Sequence, residues 1–302
     1  MWARRFPLSY YLTWPWRYLQ GRKNLFLAAT AVPPPKWSSG EYDLAVGFLG
    51  DLMGLGDKDL VISSEVKDFF ADTSTLIFNL EGPLQAARVH LGLKTQATYS
   101  ERPLRHLRET FPHHRLIAGL ANNHIDDVSE AEFQQLLTLL NELKIEVLGL
   151  KSAPVLALAQ ELEVVGVTLW KSVEDTRALS VLPSSHSKRI VFAHFGDEFQ
   201  SNPSNEQREF ERKLGPNDVA LVGHHTHFPQ PIEFTGRYIA WSLGNFAVKF
   251  GGRPVNWGLA IKLGFSQQQD WCNTGLDHTL IRNRPEHHRV VVTKVNWPTT
   301  FE

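Results

Sequence analysis

Apolar residues fall in short runs separated by turn signals, with a few longer stretches repeating at helical spacing. The runs predict strands at Asp43–Gly50, Thr75–Asn79, Arg115–Leu120, Glu146–Gly149 and Glu163–Leu169. Further strands are predicted at Arg189–Ala193, Val219–Val222, Tyr238–Ser242, Gly258–Leu263 and His288–Val295. Helical patterns cover Lys58–Ala71, Leu104–Phe111, Ser129–Leu143, Ala153–Glu161 and Asn205–Leu214. In the third of these, Phe133, Leu136, Leu137, Leu140 and Leu143 recur at three- and four-residue steps and form one apolar face. Strand–helix units fill the first two-thirds and strands dominate the rest. That order predicts an α/β core of paired sheets covered by helices and closed by antiparallel strands.

With 302 residues the chain is long enough to bury a sizeable core. Its 42% hydrophobic and 21% charged residues suit a soluble globular protein. The formal net charge of -1 gives no overall attraction to nucleic acid, so no nucleic-acid partner is expected. An anionic partner would need a local basic patch or a metal. Cys272 is the single cysteine, which excludes an internal disulfide framework and a cysteine-based zinc site.

The first 40 residues form an aromatic and basic arm, with the main domain expected over 41–302. Pro33-Pro-Pro-Lys-Trp-Ser-Ser-Gly40 has the composition of a linker between them. The longest apolar stretch of the arm, Leu25 to Val32, is far shorter than the roughly 20 residues of a spanning helix. It also starts late for a secretory signal, so neither a classical signal peptide nor a transmembrane helix is expected. A cytoplasmic or peripheral membrane location is favoured. The arm would rest on a membrane surface through residues 1–32 or pack over its own domain.

Chemistry collects where predicted strands end. The segment Val219-Ala-Leu-Val-Gly-His-His-Thr-His-Phe228 sets three histidines just beyond a buried run, with Gly223 read as the turn. On extended backbone His225 and His227 project to one side and can chelate a metal. Other strand exits deliver Asp51, then Asn79 and Glu81, then Asn122, Asn123 and His124, then His194 with Glu198 beyond it. Singly, each has a plain structural reading, such as an N-cap, a turn or a core histidine. Together they can converge, because ligands of α/β sheets gather at the carboxyl ends of strands. Carboxylate, amide oxygen and imidazole suit two divalent ions, Mn, Fe or Zn, with Glu81 the natural bridge.

The series Gly50-Asp51, Asn79-Leu-Glu81, Ala121-Asn-Asn-His124, His194-Phe-Gly-Asp-Glu198, Gly223-His-His-Thr-His227 and Trp241-Ser-Leu-Gly-Asn-Phe246 resembles CapA-type capsule-synthesis proteins. These are associated with poly-γ-glutamate capsules and belong to the calcineurin-like metallophosphoesterase superfamily. The resemblance runs from about Asp43 to Phe250 and implies a layered β-sandwich flanked by helices, in the order α/β/β/α. It implies one metal held by Asp51, Glu81 and His227, and another held by Glu81, Asn123, His194 and His225. His124 would stabilise or protonate the leaving group. Asn79, Glu198 and His224 would line the pocket, and Ser242 to Phe246 would form a wall with Asn245 as a substrate contact. The chain departs from the wider superfamily at Met53, where Asp-x-His would place a ligand. It also has Phe195 where a tryptophan is common, and Ile125-Asp-Asp-Val128 lacks a customary glycine.

Two functions follow as expectations. One is a metal-dependent hydrolase of phosphoesterase type, acting on a phosphoester or on an anionic surface polymer. The other is a non-catalytic, metal-dependent factor that binds or exports such a polymer. Met53 favours the second, and His124 beside Asn123 favours the first.

Overall fold

The computed structural model describes residues 12, 13, 15–17, 19, 42–56, 58–82, 101–170, 176–249 and 255–295. The proposed linker 33–40 lies outside them. Two sheets carry the fold. The larger has nine strands, in the order β2-β15-β14-β13-β1-β3-β4-β5, with β12 also paired to β1. Its strands are β1 (Leu44–Met53), β2 (Asp59–Ile62), β3 (Thr75–Glu81), β4 (Arg115–Gly119), β5 (Ile145–Leu148), β12 (Asn245–Ala247), β13 (Trp257–Ser266), β14 (Cys272–Pro285) and β15 (Arg289–Val295). The smaller has six, β10-β11-β9-β8-β7-β6, drawn from β6 (Val155–Ala159), β7 (Leu162–Thr168), β8 (Lys188–His194), β9 (Asp218–His224), β10 (Ile232–Phe234) and β11 (Tyr238–Ala240).

Alternation along the strands sorts side chains into layers. Val46, Phe48, Ile77 and Ile117 of the larger sheet face Ile190, Phe192, Ala220 and Val222 of the smaller one in a shared core. Phe48 and Phe192 meet there with ring centroids 6.0 Å apart. On the outer face of the larger sheet, Leu49, Leu76, Phe78 and Leu116 pack under α1 (Ser64–Phe69), α2 (Arg102–Thr110) and α3 (Glu130–Glu142). Beyond the smaller sheet, Val165, Val191 and Leu221 pack with Phe210 of α4 (Asn205–Arg212) and Leu214. The result is the expected α/β/β/α layering. Both faces of each sheet are covered, which is why β1, β3, β8 and β9 read as nearly unbroken apolar runs.

Local signals set the better-defined helices. Ser129 caps α3 and Glu132 reaches back to complete a capping box, and Ser204 and Gln207 do the same for α4. Two helical expectations are corrected. Ala153–Glu161 contains strand β6, whose register places Val155 opposite Val165 across a hairpin turned at Glu161, with φ 62°. Pairing with β7 overrides the helix propensity of its alanines and leucines. Lys58–Ala71 is divided: Asp59–Ile62 pairs with β15, and the helix begins only at Ser64. β10, β12 and β14 also lie outside the predicted strands.

Candidate metal centre

β1, β3 and β4 run parallel in one sheet, and β7, β8 and β9 run parallel in the other. Stacking the sheets brings their carboxyl ends to one end of the molecule. β1 does not stop at Gly50 as expected but continues to Met53 through an irregularity in its pairing. A Cβ at Gly50 would lie 1.9 Å from the Gly244 carbonyl oxygen, so only glycine admits this approach. The Asp51 amide then donates to that oxygen at 2.9 Å, and Asp51 stands opposite Asn245 on β12. The bulge therefore aims the buried Asp51 carboxylate into the space between the sheets.

A run of amides holds the acids in place. Asn79 Nδ2 donates to Asp51 Oδ1 at 2.8 Å and to Glu81 Oε2 at 3.5 Å. Asn122 Nδ2 donates to Asn79 Oδ1 at 3.3 Å and to the Leu80 carbonyl at 2.8 Å. Its Oδ1 accepts from the His124 amide at 3.1 Å. Asn79 and Asn122 thus orient the site from beneath.

The histidine segment is built differently from the sequence expectation. β9 runs through Gly223 to His224, and Gly223 is required by packing: a Cβ would meet the Trp241 carbonyl oxygen at 2.1 Å. The turn comes later. His225 and His227 are not extended but have φ of 97° and 59°. Such conformations are costly for residues with a Cβ and occur where a site needs them. The His225 amide donates to Asp51 Oδ2 at 3.2 Å. Thr226 Oγ1 ties the turn to Ser242 Oγ at 2.9 Å and donates to the Phe228 carbonyl at 2.8 Å. Asn245 Oδ1 lies 3.1 Å from His227 Nδ1, and Asn245 Nδ2 donates to the Val255 carbonyl at 2.9 Å. Asn245 is engaged at both ends of its amide. It is placed to position His227.

Ligand-type atoms approach within 4.8 Å of one another in three sets: Asp51, Glu81 and His227; Glu81, His194 and His225; and Asp51, His194 and His224. The first two coincide with the sets implied by the resemblance, and Asn123 Oδ1, 2.9 Å from His194 Nε2, adjoins the second. The third includes His224, whose Nδ1 lies 3.0 Å from His194 Nδ1 and 3.5 Å from Asp51 Oδ1. Those contacts suit an orienting role for His224. Both ring nitrogens of the fully buried His225 and Glu81 Oε1 lack hydrogen-bond partners. Buried polar atoms are rarely left so, and a cation would satisfy Glu81 Oε1 and one ring nitrogen of His225. The residues therefore fit a divalent metal.

The electrostatics agree. Burial, then the neighbouring imidazoles, push His194 and His225 well below the usual histidine range, which keeps them neutral. Burial would raise Asp51, but hydrogen bonding and charge from His224 and His227 hold it well below the carboxylate range. Burial pushes Glu81 up to about 8. Burial opposes a charge on His227, yet Glu81 and Asp51 outweigh it and raise the ring to about 10. A cation here would take the place of protons on Glu81 and His227.

His124 stands at the edge, its side chain 13% exposed. Its Nδ1 lies 2.7 Å from Asp127 Oδ2 and its Nε2 3.8 Å from Glu81 Oε1. Burial works against protonation, but the Asp127 hydrogen bond and the charges of Glu81, Asp127 and Glu198 raise its pKa overall. Glu198, half-buried on the turn after β8, acts on Glu81, His124 and His227 through its charge. Two neighbours escaped the sequence reading. Asp127 was legible in its three-residue spacing from His124. Trp170, whose ring lies 4.7 Å from that of His225, follows β7 and carried no local signal. Met53 is half-buried opposite Glu81 in the β1–β3 register and offers no nitrogen or oxygen ligand from its side chain.

Helix-covered paired sheets thus bring carboxylates, an amide and imidazoles together at convergent strand ends, in groups able to hold a metal. Residues 166–249, which include His194, His224 to His227 and Asn245, match the family described as bacterial capsule synthesis protein PGA_cap. The PGA biosynthesis protein CapA of Bacillus subtilis (strain 168) is 38% identical over 64 residues, which is 20% of this chain. The match spans 17% of that relative's length. Among solved structures, a putative 5'-nucleotidase from Staphylococcus aureus in complex with alpha-ketoglutarate is 13% identical, with a TM-score of 0.43. That similarity covers 78% of this chain and 54% of the other.

Proposed function

We propose that this chain is a metal-dependent hydrolase of phosphoesterase type, serving the synthesis of a capsule or poly-γ-glutamate polymer. Its substrate would be a phosphoester or an anionic surface polymer. The observation that carries this reading is the pairing of orphaned ligand atoms on Glu81 and His225 with a carboxylate-bound histidine, His124, directly beside them. Asp51, Glu81 and His227 would hold one divalent ion, and Glu81, Asn123, His194 and His225 a second. Bound there, divalent ions supply Lewis acidity and lower the pKa of water.

The remaining chemistry belongs to the chain. Asp127 accepts the Nδ1 proton of His124 and fixes its tautomer, so Nε2 is the atom that faces the site. A raised pKa keeps a proton there for a leaving group. Asn79 keeps the two carboxylates at a set separation, and Asn245 orients His227. Met53 supports a second reading, in which the same centre binds an anionic polymer for assembly or export without cleaving it.

A Mn-supplemented assay of the purified chain on a generic phosphodiester separates the two. Turnover that falls about 10²–10⁴-fold in His124→Ala, with metal content retained, is the expected result. A fully metallated protein that turns over neither phosphoesters nor glutamyl polymers would sink the hydrolase and leave the binding role.

A further inference from the structure

We propose that Arg177 is a positioning residue that keeps Asp127 aimed at His124, an inference that rests on the hydrolase reading of His124. Arg177 lies in the connection from β7 to β8, 50 residues beyond the turn it reaches. Its guanidinium grips that turn on both sides of Asp127. Nη1 donates to Asp126 Oδ1 at 3.2 Å and to the Ile125 carbonyl at 3.4 Å. Nη2 donates to Glu130 Oε2, at the start of α3, at 2.9 Å. The Arg177 backbone amide is a second donor to Asp126 Oδ1, at 3.2 Å. The guanidinium also lies over the Phe133 ring, 4.7 Å from its centroid. Asp127 sits inside the gripped span, where its amide donates to the His124 carbonyl at 3.0 Å.

Charge and geometry give this grip its purpose. Asp126, Asp127 and Glu130 place three carboxylates within five residues. Without a cation against it, Asp126 would repel Asp127 and turn its carboxylate away from the His124 ring. A guanidinium is a rigid fork, so it fixes the direction of the turn as well as its charge. Arg177 is itself held by backbone bonds that do not involve its side chain. The Lys151 amide donates to the Arg177 carbonyl at 2.9 Å, and the Leu179 amide to the Gly149 carbonyl at 2.8 Å. Ala178 between them is fully buried, and so bars the connection from moving. Removing the guanidinium therefore leaves the connection in place, and buried Ile125 and Val128 still anchor the turn to the core. What is lost is the aim of Asp127.

Arg177→Ala tests this in the Mn-loaded full chain, on the same generic phosphodiester. Expected is a kcat about tenfold lower, with KM and metal content near wild type. Adding Asp126→Asn should slow the variant no further, because the two side chains act through one contact. A kcat equal to wild type in Arg177→Ala, or a second loss that multiplies the first, would overturn the proposal. The ring 15N shifts of His124, assigned by comparison with His124→Ala, give a readout without substrate. Expected is a change of those shifts in Arg177→Ala at fixed pH, as the Nδ1 contact with Asp127 loosens. Unchanged shifts would mean that Ile125 and Val128 hold the turn unaided, and would likewise overturn the proposal. A wild-type chain inert toward phosphoesters would fail the hydrolase reading, and the ring shifts would still decide what Arg177 does.

Discussion

The His124 ring and the Asp127 carboxylate form a hydrogen bond of 2.7 Å three residues apart, beside a buried Glu81 whose Oε1 accepts no hydrogen bond. Replacing Asp127 by Asn keeps the shape and removes the charge that favours protonated His124. Turnover is expected to fall about 10–100-fold, with metal content and KM little changed. The sign of the pH effect follows from the raised pKa of His124. A proton donor works below its pKa, so the alkaline limb of the rate profile should move to lower pH in Asp127→Asn. A profile that only scales down without moving would make Asp127 a structural partner.

His225 is the cleanest probe of metal. Both its ring nitrogens are unpaired, so His225→Ala removes no hydrogen bond of its side chain from the metal-free protein. Expected is a drop of at least about tenfold in Mn affinity, together with loss of most of the thermal stabilisation that added Mn gives the wild type. Equal metal content in variant and wild type, by elemental analysis, would remove His225 from the ligand set.

Gly50→Ala tests the bulge that aims Asp51. The added methyl would overlap the Gly244 carbonyl, and β1 and β12 must part to admit it. Denaturant unfolding should show a loss of about 1–3 kcal/mol, with weakened metal binding because Asp51 moves with the strand. A variant as stable as wild type would mean that the approach relaxes without cost.

Arg115 at the start of β4 grips Glu146 of β5 with two bonds, Nε to Oε1 at 2.6 Å and Nη2 to Oε2 at 2.8 Å. This hydrogen bonding lowers the Glu146 pKa. A depressed carboxylate stabilises the fold above its unfolded pKa and loses that contribution as pH falls through its folded pKa. Both side chains are a third or more exposed, so solvent screening limits the effect to about 0.2–1 kcal/mol. Glu146→Gln should cost that much at neutral pH and nothing in acid, by urea unfolding at both values.

What the sequence determined by itself was local. Runs such as Leu76 to Phe78 and Ile190 to Ala193 marked strands, Ser129 with Glu132 marked a helix start, and the exits of five strands carried Asp51, Glu81, Asn123, His194 and the histidines. These follow from side-chain period, capping and residue type, which neighbours in sequence decide. Tertiary structure decided the rest. Pairing with β7 made Val155–Ala159 a strand, and the Gly244 carbonyl, 194 residues downstream, made Gly50 obligatory. Only the packed sheets place Asn245 against His227 and Trp170 against His225. The left-handed turn at His225 and His227 likewise takes its hydrogen bonds from Asp51, Ser242 and Asn245, all remote in sequence. Distances across a fold depend on which strands pair and in what register, and no window of adjacent residues contains that choice.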